Sequence, residues 1–213
     1  MTTMMAKTMI AAMVLAGTAA PAAAATTVIA FDDGTDGAVV NDFYAALGVT
    51  FTGASFTDNG GGTGTSGTLG LFSTVNDFQF GADTPIAGSF AVTATAVSIR
   101  GIDVGMAGLR LEAYGITNLL IGFDEYFGTG VGADMFRDLS VAGAGIASFR
   151  VFQPLSAQGR NDFGDGVLLD NLSFTTATPA VPEPATWTLM LAGFALTAAT
   201  LRYRRRQTRN AYA

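Results

Sequence analysis

The chain has 213 residues, 49% of them hydrophobic, and it contains neither cysteine nor histidine. These absences exclude a disulfide framework, Cys/His zinc sites, thiolate nucleophiles and His-based catalytic triads. Residues 26–180 hold five basic and 16 acidic side chains, hence a net charge of −11. Such a surface repels nucleic acid, which we therefore exclude as a partner, and it suits divalent cations, basic partners or neutral polymers.

The N-terminus has the three parts of a secretory signal peptide. Lys7 supplies a positive charge, residues 9–17 are apolar, and small residues surround a cleavage position after Ala24 or Ala25. A membrane-anchoring helix is the alternative, but the apolar run is short and Pro21 interrupts it. We therefore predict that residues 1–25 are a signal peptide that takes the chain through the Sec translocon.

Short β-like runs separated by glycine-rich turns follow the signal peptide. The candidate strands are residues 27–31, 48–53, 68–73, 77–81, 88–104, 109–115, 119–123, 145–152 and 167–174. The alternation is clearest where Leu109, Leu111 and Ala113 are interleaved with polar side chains. Period-two alternation with frequent turn signals predicts an all-β fold, a single β-sandwich domain over residues 26–175.

Two stretches of this domain have a helical rather than a β pattern. Residues 39–47 and 133–139 are each long enough for one or two helical turns. Residues 57–70 are rich in glycine and threonine and predict a flexible loop. None of these stretches decides the fold.

The two ends of the domain resemble the first and last strands of jelly-roll carbohydrate-binding modules. The resemblance is carried by "FDDGTDGAVVNDFYAALGVTF" at residues 31–51 and "GDGVLLDNLSF" at residues 164–174. It implies a jelly-roll sandwich in which the first and last strands are neighbours and a structural calcium ion lies near them. On that basis Asp32 and Asp33 are expected beside Asp170.

The residue types in these segments agree with a calcium site, because Ca²⁺ takes six to eight oxygen ligands from carboxylates and carbonyls. Asp32, Asp33 and Asp170 are the candidate ligands, with Asp36 and Asp165 nearby in sequence. The alternative is that these aspartates only make turns and caps, a role in which Asp and Gly are common. The sequence leaves both interpretations open.

Candidates for carbohydrate contact and for catalysis are fewer. Aromatic side chains that could lie against a sugar are Phe163, Tyr114, Tyr126 and Phe127, although most phenylalanines of a sandwich belong to its core. Carboxylates that could pair as acid and base are Glu112, Asp124 and Glu125. Neither a nucleophile elbow nor a phosphate-binding loop accompanies them, so we expect no enzyme activity.

The C-terminus ends in an apolar run followed by arginines. Residues 186–203 are mostly uncharged and, as a helix, would be about 27 Å long, close to the thickness of a hydrocarbon core. Arg202, Arg204, Arg205 and Arg206 follow and would keep the tail cytoplasmic. The pattern predicts a single transmembrane helix.

The segment before that run, "VPEPATW" at residues 181–187, resembles the PEP-CTERM sorting signal of Gram-negative bacteria in its PEPxxW form. The resemblance rests on Pro182, Glu183, Pro184 and Trp187 and covers the sorting segment 182–206. The family form usually has alanine after the tryptophan, where this chain has Thr188.

The resemblance implies an exosortase, a membrane-embedded enzyme that cuts near the Pro-Glu-Pro. Both prolines fix φ near −65° and lack an amide donor, so we expect them to stay outside the following helix. Residues 176–181 are the predicted linker.

Together these features predict an exported protein, anchored as a precursor and then released to the cell surface or the extracellular matrix. The resemblance implies a non-enzymatic role associated with exopolysaccharide or biofilm. The alternatives are a calcium-stabilised carbohydrate-binding module and a secreted hydrolase that uses a carboxylate pair.

Overall fold

The computed structural model describes residues 24–58, 60–75, 80–156, 166–177 and 184–210, which form two separate units, a β-sheet domain and a C-terminal helix. The predicted signal peptide lies outside the described residues except for Ala24 and Ala25, which begin the first strand. The elements are β1 Ala24–Ile29, a 3₁₀ turn Ala45–Leu47, β2 Val49–Thr52, β3 Ala54–Asp58, β4 Leu69–Ser73, β5 Ile86–Ile102, β6 Leu109–Gly115, β7 Leu120–Tyr126, β8 Phe136–Phe152, β9 Leu168–Ala177 and α1 Pro184–Asn210.

The strands form one antiparallel sheet in the order β3-β4-β9-β5-β8-β6-β7, in which β1 also pairs with β9 and β2 with β5. The long strands β5 and β8 are paired along their length, with shifts of register between Ser89 and Ala96. Such bulges bend a strand and increase its twist. On one side of the bulges β5 pairs with β2, and on the other side it pairs with β9.

The sheet folds on itself around a large apolar core. Ile86 and Ile99 lie on opposite sides of the β5 bulges, yet both are fully buried in the same hydrophobic cluster. Phe31, Phe51 and Phe149 contribute rings in edge-to-face contact within this cluster. The predicted all-β sandwich is therefore confirmed, and the prediction that phenylalanines mainly fill its core holds for these rings.

Most predicted strands are present, and the differences have local causes. Strand β6 has the predicted bounds, whereas β8 begins at Phe136 and includes most of the stretch predicted as a helical turn at 133–139. That prediction is wrong, because Asp134 adopts a left-handed φ of 61° that interrupts a helix. Strand β9 runs to Ala177, two residues into the predicted linker, and the remainder of that linker lies outside the described residues.

The C-terminal unit is the 27-residue helix α1. Pro184 is its first residue, so the expectation that this proline stays outside the helix is wrong; the first position of a helix needs no amide donor. Thr197 donates its hydroxyl to the carbonyl of Phe194 at 2.8 Å, as threonines in helices often do.

None of the helical residues that the structure describes forms a stretch long and apolar enough to cross a membrane. The helix predicted for residues 186–203 is thus present within α1, but its transmembrane span is not confirmed. Its apolar residues are interspersed with threonines and are followed by the arginine cluster.

Candidate functional site

Two of the three predicted metal ligands meet around the hydroxyl of Ser66. Asp170, on β9, is fully buried and accepts hydrogen bonds from the Ser66 amide at 2.7 Å and from its hydroxyl at 2.9 Å. Asp32, just after β1, lies with Oδ2 3.4 Å from the same hydroxyl, and the carbonyl of Ala30 is 3.3 Å from it. We call this group, Ala30, Asp32, Ser66 and Asp170, the Ser66 node.

The node is positioned by the loop between β3 and β4. Gly67 lies directly against the Asp32 carboxylate, where a Cβ would overlap it, and the Leu69 amide donates to Asp32 at 3.3 Å. Arg100 holds the same loop through the carbonyl of Gly64 at 3.1 Å. The glycine-rich stretch predicted as a flexible loop is therefore tied to the sheet at several points.

The node carries more acceptors than its one hydroxyl can satisfy. The Ser66 hydroxyl has a single proton, yet oxygens of Ala30, Asp32 and Asp170 all lie within 3.4 Å of it.

Arg100, beside the node, makes a bidentate ion pair with Asp138, at 2.7 and 2.9 Å. Its pKa is raised chiefly by that hydrogen bond, with a smaller contribution from the charge of Asp170.

The oxygen set fits a divalent cation only in part. Two carboxylates, a carbonyl and a hydroxyl are the ligand types that Ca²⁺ accepts. Among the described residues, however, no three acidic side chains lie close enough together to hold a metal ion. Asp33 is not part of the node; it accepts a hydrogen bond from the hydroxyl of Tyr44. Asp165 lies outside the described residues. Asp36 accepts from the amide of Asp58 at 2.9 Å.

Tyr44 itself is held by the packing of the turn after β1. Its ring lies in edge-to-face contact with Phe31, and its residue is almost fully buried. Burial, followed by the hydrogen bond and the charge of Asp33, raises the pKa of this phenol above its ordinary value. Asp33 therefore serves the packing of Tyr44 in the structure.

A second polar cluster lies on the face of β8, β6 and β7, centred on Glu112. Glu112 is only 7% exposed and receives hydrogen bonds from Arg110 Nε at 2.9 Å, from Arg150 Nη2 at 2.6 Å and from the hydroxyl of Tyr114. Arg110 also pairs with Glu125 at 3.0 Å. We call these five residues the Glu112 network.

The protonation of the network follows from these contacts. Burial alone would raise the pKa of the Glu112 carboxyl, but hydrogen bonds from Tyr114, Arg150 and Arg110 and the charge of Arg150 outweigh it. The pKa is thus below its ordinary value of 4.5, and Glu112 is ionised at neutral pH. Burial and the bond to Glu112 raise the pKa of Tyr114.

Aromatic rings flank the network on the same face. The Arg110 guanidinium lies 3.7 Å from the centre of the Phe123 ring, which is 50% exposed, and Arg150 lies 5.1 Å from the Tyr114 ring. Two positive and two negative side chains leave the face close to neutral within an acidic domain. Rings and fixed hydrogen-bonding groups on a neutral face are the ingredients of a site for a neutral polar ligand.

The remaining aromatic and acidic candidates from the sequence lie at several different places. Tyr126 packs against the core, Phe127 is half-exposed after β7, and Phe163 lies outside the described residues. Asp124 accepts from the Ser140 amide at 3.0 Å, whereas Glu112 and Glu125 are both bound to Arg110. The candidate carboxylates are therefore engaged in salt bridges and hydrogen bonds. Arg150 was missed because register, not spacing, brings it opposite Glu112.

The predicted sorting residues fall at the start and the end of α1. Pro184 and Trp187 lie in its first turn, and Pro182 and Glu183 lie outside the described residues. The basic cluster Arg202, Arg204, Arg205 and Arg206 occupies its last turns, where positive charge is favourable to the helix dipole.

Comparison with known proteins gives a family match for the tail and similarities to solved structures, two of which are described here. No curated protein matches the chain. The chain is similar to the carbohydrate-binding module CsCBM6-3 from Clostridium stercorarium, solved in complex with cellobiose, at 15% identity over 70% of this chain and 93% of that one, with a TM-score of 0.35.

A structure from work on the promiscuous specificity of carbohydrate-binding modules of the β-sandwich superfamily is 10% identical over 68% of this chain and 58% of that one, with a TM-score of 0.20. At TM-scores this low, neither similarity supports an argument about function. The family match is specific to the tail: residues 180–206 carry the PEP-CTERM protein-sorting motif.

Proposed function

We propose that this chain is an exported, exosortase-processed surface or extracellular-matrix protein that acts without catalysis and associates with exopolysaccharide. The PEP-CTERM motif at residues 180–206 carries the proposal, because such a motif implies sorting by an exosortase. Its position is suitable for cleavage, since it begins three residues after the last residue of β9 and the sandwich is complete without it.

The processing step is tested by paired proline variants in the native host. Pro182→Ala changes the motif, whereas Pro179→Ala changes a proline just outside it and is the matched control. We expect the Pro182 variant to accumulate as uncut precursor on immunoblots and the Pro179 variant to be processed normally. Equal processing of both variants would contradict the role given to the motif.

A second candidate function is a calcium-stabilised, jelly-roll carbohydrate-binding module. The Ser66 node supports the calcium part, because oxygens of Ala30, Asp32 and Asp170 lie within 3.4 Å of one hydroxyl and are of the type that Ca²⁺ takes. Asp32, Asp170, the Ser66 hydroxyl and the Ala30 carbonyl would hold the ion. The Glu112 network supports the carbohydrate part, because rigid polar groups and the Phe123 and Tyr114 rings share one face.

Calcium is tested by thermal melting in excess Ca²⁺ and in EGTA. At a ligand concentration of about 100 Kd, binding adds about 2.7 kcal/mol, which for a domain of this size raises the melting temperature by roughly 5–10 °C. Asp170→Asn should abolish the shift. A shift that persists in the variant, or no shift in the unchanged chain, would rule out an ion at the node.

Carbohydrate binding is tested on a glycan array and by affinity electrophoresis in native exopolysaccharide. Phe123→Ala removes a 50% exposed ring from the Glu112 face, and Phe136→Ala removes a 47% exposed ring elsewhere as the matched control. Loss of the apolar area that one ring buries should weaken binding by about tenfold in the first variant only. Equal losses in both variants would exclude this face.

A further inference from the structure

The end of the sandwich at which the chain enters and leaves it is marked by one line of paired residues. Gly115 pairs with Ile146, Ile146 with Ala94, Ala94 with Thr176, and Thr176 with Ala25, which takes the line across β6, β8, β5, β9 and β1. Strand β1 begins one residue before this line and β9 ends one residue after it. The β6–β7 turn starts at it.

The strands that reach this line carry no charge near it. Asp, Glu, Lys and Arg are all missing from the sequence at residues 24–31, 84–99, 113–123, 139–149 and 171–177. The domain as a whole has a net charge of −11, so its charges are segregated away from these stretches. We call this part of the sandwich the uncharged end.

Apolar side chains project from the uncharged end at the β6–β7 turn. Ile116 is 82% exposed and Leu119 70%, and Leu120 is also exposed. The turn is closed by hydrogen bonds from Gly115 N to Leu119 O and from Asn118 N to Gly115 O, both 2.9 Å. Their exposure therefore comes from an ordered turn.

A second exposed pair lies at the bulged part of β5. Val92 and Leu47 are both about half-exposed, and the segments that carry them are joined by a 2.9 Å hydrogen bond from Ala91 N to Gly48 O. Clusters of exposed apolar side chains of this kind mark surfaces that contact a protein or a membrane.

The position of this end in the chain favours a membrane over a protein partner. Strand β9 leads from Ala177 toward the sorting motif at residue 180, and β1 follows the predicted signal peptide. Both segments that would bring the chain to a bilayer thus join the sandwich here. An acidic domain is repelled by anionic headgroups, so its closest approach is through an end without charge.

We propose that the uncharged end docks on a lipid bilayer, with Ile116, Leu119 and Leu120 inserted at the interface. The proposal rests on the proposed function, because processing by a membrane enzyme holds this end near the bilayer. Insertion of a few apolar side chains at the interface gives reversible binding to the bilayer.

The chain lacks cysteine, so one introduced thiol can be labelled without background. We would place an environment-sensitive NBD dye at Thr117→Cys in the turn and, as a control, at Ala133→Cys in the exposed loop before β8. The full-length chain is mixed with neutral phosphatidylcholine vesicles. We expect the dye at residue 117 to brighten and shift to the blue, and the dye at residue 133 to stay unchanged.

Ile116→Asp with Leu119→Asp, added to the labelled Thr117→Cys chain, should reduce that signal by about tenfold or more, because burial of two large side chains is lost. Both residues are exposed, so the double variant should fold. An unchanged dye at residue 117, an equal change at 133, or an aspartate variant that keeps its signal would each overturn the proposal. Normal docking with failed processing would instead refute the proposed function alone.

Discussion

Replacing Glu112 with glutamine tests whether the polar network on β8, β6 and β7 holds these strands together. The substitution keeps the shape of the side chain but removes the charge that Arg110 and Arg150 share. The amide group also brings donors toward two guanidinium groups that already donate.

The cost can be worked from the contacts. Glu112 accepts from Arg110 Nε at 2.9 Å, from Arg150 Nη2 at 2.6 Å and Nε at 3.2 Å, and from Tyr114. Hydrogen bonds to charged groups contribute about 1.5–3 kcal/mol each, but both arginines remain partly exposed and can recover water. We therefore expect a net loss of about 2–3 kcal/mol, or roughly 4–12 °C in melting temperature.

The assay is urea unfolding at neutral pH, with Glu125→Gln as the matched control. Glu125 makes one ion pair with Arg110 at 3.0 Å, and its side chain is 35% exposed, so its loss should cost less than about 1 kcal/mol. If Glu112→Gln is as mild as Glu125→Gln, the network adds nothing beyond ordinary surface salt bridges and the reasoning fails.

Three further predictions concern the pH dependence of Glu112, the packing of Gly88 and the Ser66 node. Because the pKa of Glu112 is lowered on folding, its contribution to stability is present above about pH 4.5 and is lost as the pH falls through the lower pKa of the folded state. The melting temperatures of the unchanged chain and of Glu112→Gln should therefore converge in acid. A difference between them that stays constant with pH would contradict this. Gly88→Ala should lower the free energy of unfolding by about 1–3 kcal/mol, because the added Cβ would overlap the buried Phe149 ring, and unchanged urea unfolding would show that the core can yield. Without calcium, Ser66→Ala removes the hydroxyl that lies 2.9 and 3.1 Å from the two Asp170 oxygens, and it should lower the melting temperature by a few degrees. A rise in the melting temperature would indicate that repulsion between the oxygens dominates at the node.

The sequence predicts the elements of the sandwich well where one face is buried. Strand β6 has the predicted bounds because the apolar Leu109, Leu111 and Ala113 alternate with the polar Arg110, Glu112 and Tyr114. Strand β8 was expected to start nine residues later, since its first half includes small residues and exposed polar ones without a clean alternation. Its pairing with β5 is a tertiary effect that local pattern does not contain.

The candidate sites, too, were predicted from the sequence only in part. The approach of Asp32 to Asp170 was expected from neighbouring first and last strands, and Ser66 brings them together in the structure. Ser66 itself was not predicted, because it comes from the glycine-rich loop, whose composition indicates flexibility and gives no sign of its contacts. Arg150 was likewise missed, since only the register of β8 against β6 places it beside Glu112.

The most direct test of the account is the intact mass of the mature protein recovered from the surface or matrix of its native host. We predict a mass that lacks the signal peptide and every residue downstream of a cut near the Pro-Glu-Pro, including the arginines of α1. A mature surface form that still carries Arg202, Arg204, Arg205 and Arg206 would contradict exosortase processing and the function proposed from it.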